Sequence, residues 1–393
     1  MNKNDFDDKG WIRFVRNTAG LETCVPRDLP PELRFDVSLI NALSTADRAL
    51  GRLEGSITGL PAPELLMRSF VRREAVLSSR IEGTVASIND IYLFEMNPES
   101  TQSAPDVGEV YNYVRALDHG LDRLKHVPFS LAVVKELHAI LLEGVRGSDK
   151  SPGAFRKKQN FISRTERIED ASYVPPPHEH VLERLESLEK FVNSSDELPL
   201  LVRLAMIHYQ FEAIHPFEDG NGRVGRLLIS ILLGRARALT HPVLNLSAYF
   251  EKHVSKYYGL LLKVSQTGDW NAWIEFFLRG VADQAVDAAE RSKALFKLRD
   301  GWVALSQKAR TSALMIKLID MLFVNPYIKS TQAAKELDVK HQSAQKLIDQ
   351  LVGQGVLEEV TGRTRNRVYR ASKILRVLEA APALDDPGSE PNP

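Results

Sequence analysis

At 393 residues the chain is longer than one hydrophobic core ordinarily serves, so two or three domains are expected. Apolar residues at 44% and charged residues at 26% match a globular protein and exclude a disordered or fibrous one. Basic and acidic residues balance at 51 each, so no overall charge points to nucleic acid. The single cysteine, Cys24, excludes an internal disulfide framework and any thiolate-only metal site.

The opening, MNKNDFDDKGWIRFVRN, lacks the apolar stretch of a secretory signal. The longest apolar run, Leu227 to Leu233, falls far short of the roughly 20 residues that span a bilayer. A soluble, cytoplasmic protein with no membrane partner is the expectation.

The first sixty residues are rich in loop signals and end at Gly59-Leu60-Pro61-Ala62-Pro63. A helix over about 64–83 then follows, with Leu66, Phe70, Leu77 and Ile81 on one stripe and Gly83 as its stop. Polar and turn-forming residues from Asn97 to Asp106 mark a boundary. Helices are expected around 107–124 and 130–144. Between Gly147 and His180 the helical period lapses, and two short strands around a polar turn over about 154–174 read as a hairpin.

From Leu200 to Leu239 two helices flank a loop at His215 to Gly222; the second, Val224 to Leu239, is apolar all round and belongs in a core. Beyond Arg291 come helices over 311–324, over 330–337 with Ser330 as N-cap, and over 341–353. Val356 to Val360 and Arg367 to Tyr369 then pair as a wing, an order that resembles a winged helix. The expected division is 1–105, 106–290, 291–375 and a disordered tail at 376–393.

The most informative run is His215-Pro216-Phe217-Glu218-Asp219-Gly220-Asn221-Gly222-Arg223-Val224-Gly225-Arg226. A Gly-Asn-Gly turn opens directly into a helix, whose free first-turn amides make an anion site. Arg223 and Arg226, three apart, share a face of that turn and can hold phosphate oxygens. Asp219 supplies the hard oxygen that Mg2+ prefers when phosphates and water are its other ligands. Polyphosphate, metal and a histidine base together spell phosphoryl or nucleotidyl transfer. His208 and His215, seven apart, are a zinc-pair alternative for which only Asp219 offers a third ligand.

The run HPFEDGNGRVGR matches every fixed position of the Fic motif, HxFx(D/E)GNGRxxR, and the chain resembles Fic-family protein adenylyltransferases. The resemblance implies an all-α, mainly helical Fic core with a short β-hairpin flap, here followed by a C-terminal winged-helix domain. It implies His215 as general base, Phe217 as the loop's anchor and Asp219 as holder of Mg2+. It assigns Gly220, Asn221, Gly222, Arg223 and Arg226 to the phosphates of ATP, Asn221 through its side chain, and Tyr257 and Tyr258 to the adenine. Ser78-Ser79-Arg80-Ile81-Glu82-Gly83 matches the family's inhibitory (S/T)xxxE(G/N) helix, which implies that Ser78 and Glu82 dock at the active site and that Glu82 pairs with Arg226.

The implied activity is transfer of AMP from Mg-ATP to a Ser, Thr or Tyr hydroxyl of a target protein that lies along the flap. Removal of AMP from a modified protein is the alternative reaction, and a nucleotide-sensing transcription regulator is the alternative class. A homodimer suits a family whose brakes are often regulated by assembly. DNA is a weaker candidate partner, through Lys340, His341, Gln342, Ser343 and Gln345 with Arg363, Arg365 and Arg367 in the wing.

Overall fold

The computed structural model describes residues 1–96, 105–163, 165, 167–195, 197–306, 312–363 and 365–380. Two antiparallel strands come first, β1 (Ile12–Arg16) and β2 (Glu22–Pro26), in the register Ile12↔Pro26 to Arg16↔Glu22. Helix α1 (Val37–Thr58) is capped by the Asp36 carboxylate, which accepts from the Leu39 amide at 2.9 Å. It lies along a 37-residue helix from the other side of the domain, and their N-termini meet where Asn271 bonds Arg34 and Asp36. The loop signals of the first sixty residues thus hold a hairpin and a six-turn helix. Helix α1 buries Leu39, Ala46, Leu50, Leu53 and Ile57 while Val37 and Ile40 stay exposed, so its buried stripe is narrow.

Helices α2 (Glu64–Ile81), α3 (Ile88–Met96), α4 (Pro105–His126) and α5 (Leu131–Leu141) follow. The expected boundary loop at 97–106 lies mostly outside the described residues. Among the described residues, the expected hairpin at 154–174 pairs at one bridge, Ile162↔Tyr173, with a 3-10 turn over Ile168–Asp170 between the two sides. Its polar turn and three following prolines leave little backbone free to extend a ladder.

Helices α6 (His178–Asn193), α7 (Leu200–Ile214), α8 (Asn221–Arg235), α9 (Leu246–Lys252), α10 (Val254–Thr267) and α11 (Trp270–Ser306) complete the main body. Helices α7 and α8 form its centre, and α8 is buried from Val224 to Leu233 but for Ser230. Trp273 of α11 is fully buried and donates its indole N–H to the Ala205 carbonyl at 2.9 Å. The division expected at 290 falls inside α11, which continues unbroken to Ser306.

The C-terminal unit contains α12 (Ser312–Val324), β3 (Tyr327–Lys329), α13 (Ser330–Leu337), α14 (His341–Gly353), β4 (Glu358–Glu359), β5 (Val368–Arg370) and α15 (Ser372–Glu379). Its antiparallel sheet runs β3-β5-β4, a winged helix as expected. Lys329 rather than Ser330 occupies the N-cap of α13, with no side-chain cap bond. The tail expected to be disordered from 376 is helical to Glu379, and residues 381–393 lie outside the described residues. No helix among the described residues is long and apolar enough to cross a membrane.

Truncating Trp273 leaves a large void and removes the indole bond to the Ala205 carbonyl. Trp273→Ala is expected to lower stability by about 3–5 kcal/mol, read from the shift in the urea midpoint at unchanged slope.

Candidate active site

The loop between α7 and α8 is built by closing two helix ends on each other. His215 ends α7 in the left-handed region, φ 50°, and Gly220 opens α8 at φ 79°. A non-glycine residue in that region is strained and needs surroundings that hold it. Here Arg156 Nε donates to the His215 carbonyl at 2.9 Å, and its backbone N–H donates to the Pro216 carbonyl at 2.9 Å. Asn160 Nδ2 reaches the carbonyls of His215 and Phe217 at 3.2 and 3.0 Å. His138 stacks flat on Phe217 with ring centres 3.7 Å apart. Its Nδ1 accepts the Gly153 amide, so its Nε2–H is free to donate to the Asp219 carbonyl at 3.0 Å.

Asn221 differs from its expected role. Its side-chain oxygen accepts the Phe217 amide at 2.8 Å and its NH2 donates to the Phe217 carbonyl at 2.9 Å, with 2% of the residue exposed. It ties the loop shut rather than offering its side chain to a phosphate. Phe217 is fully buried.

His215 Nδ1 lies 3.2 Å from the Glu212 carbonyl, which assigns the proton to Nδ1 and leaves Nε2 with its lone pair free. Burial pushes the imidazole down to about 4, with the Arg156 charge adding to the effect, so the ring is neutral at neutral pH. Neutrality and a free Nε2 are what a general base needs.

Both motif arginines are 1% exposed and each is paired. Arg223 bonds Glu109 of α4 at 2.9 Å; Glu109 also meets Arg146 and the Thr84 hydroxyl. Arg226 is gripped by the C-terminal end of α2 and the residue after it. Its Nε donates to Ser78 Oγ at 2.9 Å, and its Nη2 donates to the Ser78 carbonyl at 3.0 Å and to Glu82 at 2.7 Å. Burial works to raise the Glu82 carboxyl, and Arg226 outweighs it, holding the group below its ordinary range. The Glu82 carboxylate lies over Gly222, where any side chain would collide with it. Arg226 Nη1 is buried without a partner. An acidic side chain therefore occupies the helix N-terminus and the arginine that the sequence assigns to an anion.

Asp219 is a carboxylate of the loop with 37% of its side chain exposed. Its Oδ1 accepts the Gly220 amide and lies 3.6 Å from Arg223, and Oδ2 carries no hydrogen bond. One open carboxylate oxygen beside an anion site fits Mg2+ held largely by phosphate and water. No group of three metal-ligating side chains occurs among the described residues. His208 spends Nε2 on the Tyr257 hydroxyl at 2.7 Å.

Tyr257 is fully buried, stacked on Phe250 at 4.5 Å, so it belongs to the core behind Arg226 rather than to an adenine surface. Tyr258, 45% exposed, remains available. In the C-terminal unit Lys340, Gln342, Ser343, Arg363 and Arg365 are exposed, whereas His341 bonds Ser330 and Gln345 bonds Tyr369.

Five residues near the loop escape the motif reading. Arg156, Asn160 and His138 act on backbone carbonyls and carry no spacing signal. Glu109 and Glu212 are lone acids on helices. Burial pushes Glu212 up to about 8, and its carboxyl occupies space that a side chain at Gly225 would take. A cavity of about 370 Å3 lies elsewhere, at the far end of α8 between Asp118, Lys125 and Pro242.

Residues 40–122 match the family model described as Fic/DOC family N-terminal, residues 128–233 that of the Fic/DOC family, and residues 315–374 an HTH DNA binding domain. A probable protein adenylyltransferase of Aquifex aeolicus is 26% identical over 176 residues, 43% of this chain and 51% of that protein. The protein adenylyltransferase Fic of Drosophila melanogaster is 30% identical over 162 residues, 41% of this chain and 29% of that protein. The chain thus spans about half or less of these relatives. Among solved structures, a Fic family protein from Desulfovibrio desulfuricans has a TM-score of 0.57 at 19% identity, covering 87% of this chain and 98% of that one. Fic-1 of Caenorhabditis elegans has a TM-score of 0.53 at 22% identity, covering 65% and 74%. At these identities the likeness concerns the fold.

The His215 environment makes a direct prediction. Its imidazole is expected to titrate near pH 4, not 6.5, when followed by NMR of ring-labelled histidine, and a midpoint above 6 would contradict the buried neutral base.

Proposed function

We propose that this chain, which carries the Fic/DOC family's two regions, is a protein adenylyltransferase that moves AMP from Mg-ATP to a Ser, Thr or Tyr hydroxyl and is restrained by its own Glu82. The observation that carries the reading is the Arg226–Glu82 pair, one residue class away from an arginine–phosphate pair, beside a neutral histidine with a free Nε2. The names of the Aquifex and Drosophila relatives support the reaction class.

In this reading the hydroxyl oxygen of the target attacks the α-phosphorus as His215 Nε2 takes its proton. The new O–P bond forms as the bond from the α-phosphorus to the bridging oxygen breaks, and pyrophosphate leaves with that electron pair. Amides of the first turn of α8 hold phosphate oxygens, and Arg226 orients the terminal phosphate once Glu82 has withdrawn. Asp219 would hold Mg2+, which neutralises charge on the α- and β-phosphates when bound. The target segment adds by backbone pairing along the stretch around Ile162, whose side chain is 37% exposed.

While Glu82 holds Arg226, ATP lacks its terminal clamp and the α-phosphorus sits off line. Glu82→Gly should therefore raise label transferred from α-labelled ATP to the chain itself by about tenfold or more, the value of a charge-assisted contact restored to substrate. Unchanged labelling would remove the brake from the reading. In the Glu82→Gly background, His215→Ala should abolish labelling while ATP binding by calorimetry stays within about threefold. Persistent transfer in that double variant would show that another group is the base. No label in any variant would favour AMP removal or nucleotide sensing.

A further inference from the structure

We propose that the C-terminal unit latches the inhibitory helix, so that the strength of the brake depends on how firmly α12, β3 and α15 dock on α2 and α3. The proposal rests on the reading of Glu82 as a brake.

Glu82 sits one residue beyond the C-terminus of α2, and the middle of that helix is tied to the C-terminal unit. Ser69 Oγ donates to the Phe323 carbonyl at 3.2 Å, at the end of α12, and accepts from the Tyr92 hydroxyl at 2.9 Å. Asn325 Nδ2 reaches the Tyr92 carbonyl at 3.3 Å. Tyr327 of β3 donates to Asn89 Oδ1 at 3.0 Å, and Asn89 donates to Glu379 of α15 at 2.8 Å.

One helical turn beyond Ser69, Arg73 Nε donates to the Leu378 carbonyl at 3.2 Å and Nη1 to Asn245 at 3.0 Å. Arg291 of α11 donates to the carbonyls of Val377, Leu378 and Ala380. Asp287 lies between the two guanidinium groups, 2.8 Å from Arg291 and 3.5 Å from Arg73. All three side chains are at least nine-tenths buried. The last carbonyls of α15 have no partner within their own helix, and two buried cations close that end.

Helix α2 thus carries Arg73 in the latch and Ser78 in the brake, and Glu82 directly follows its last residue, nine positions from Arg73. Withdrawing Glu82 by moving α2 pulls Arg73 from the Leu378 carbonyl and from Asp287 and strands a buried guanidinium, which is costly. Undocking the C-terminal unit first releases the ties of α2 to Leu378 and Phe323 and so lowers that cost. The coupling is reciprocal, so a phosphate that displaces Glu82 also loosens the unit. The outer face of α14, with Lys340, Gln342 and Lys346, is exposed, so the unit can be loaded without contact at the active site.

Arg291→Gln tests this, because it removes the grip on α15 and leaves α2, α8 and the motif unaltered. Full-length wild type, Arg291→Gln, Glu82→Gly and the double variant are compared for self-labelling by α-labelled ATP and for amide hydrogen exchange over residues 64–81. Arg291→Gln should speed exchange across α2 and raise labelling roughly fivefold, short of Glu82→Gly, and should add nothing in the Glu82→Gly background. Faster exchange confined to α15 with labelling unchanged would overturn the latch, as would an equal gain with and without Glu82. If Arg291→Gln does not fold, Tyr327→Phe loses one bond to Asn89 and should give the same pattern at smaller amplitude, and its absence counts equally against the latch. Absence of label in every variant, Glu82→Gly included, defeats the transferase reading instead, and exchange over α2 still decides the latch.

Discussion

A guanidinium buried to 1% exposure has to be matched by an anion, and Arg226 places that demand at the first turn of α8. Burial alone would lower its hold on the proton; Glu82 reverses this and raises it well above the ordinary value. A nucleotide's terminal phosphate could meet the same demand with the same geometry. Both anions need one guanidinium and one patch of space over Gly222, so they exclude each other. The site therefore has two states by charge balance alone, with no need for the loop itself to move.

The loop is stiff for a related reason. Its carbonyls at His215, Pro216, Phe217 and Asp219 are all taken by Arg156, Asn160, Asn221 and His138. A left-handed histidine is kept in place by those bonds, and its neutral ring is set by burial rather than by a carboxylate partner. Orientation of the base is thus independent of whether Arg226 holds Glu82 or phosphate. Under the proposed function, regulation would act on the anion clamp and leave the base ready, a division that lets one displacement control the reaction.

The helical core, the loop between α7 and α8, and the contact of Ser78 and Glu82 with Arg226 were legible in the sequence because each depends on local spacing. A motif fixes residues three or four apart, and helical geometry does the rest. What stayed hidden depends on partners far along the chain. Helix α1 is amphipathic on a stripe of five residues that only α11 explains. Arg156 reads as a flanking residue until its carbonyl partners some sixty positions away are seen. A side-chain amide in an anion loop can serve phosphate or backbone, and at Asn221 only the Phe217 backbone decides between them. The flap segment pairs at Ile162↔Tyr173, and the prolines at 175–177 keep that pairing from growing into a longer ladder.

The two motif arginines look equivalent in sequence, and the structure separates them by what holds their carboxylates. Glu109 belongs to α4, is 2% exposed at its side chain, and is bound by Arg223, Arg146 and Thr84 together. Taking it from Arg223 would strand a desolvated charge inside the core. Glu82 sits past a helix end, is 31% exposed, and is followed by Gly83 at φ 87°, so its release returns a carboxylate to water at small cost. The Arg223 pair is for that reason a fixed part of the wall, and in the proposed function exchange of carboxylate for phosphate falls to Arg226. What sets the balance of that exchange is then the cost of moving α2, which is borne by the contacts on its other side.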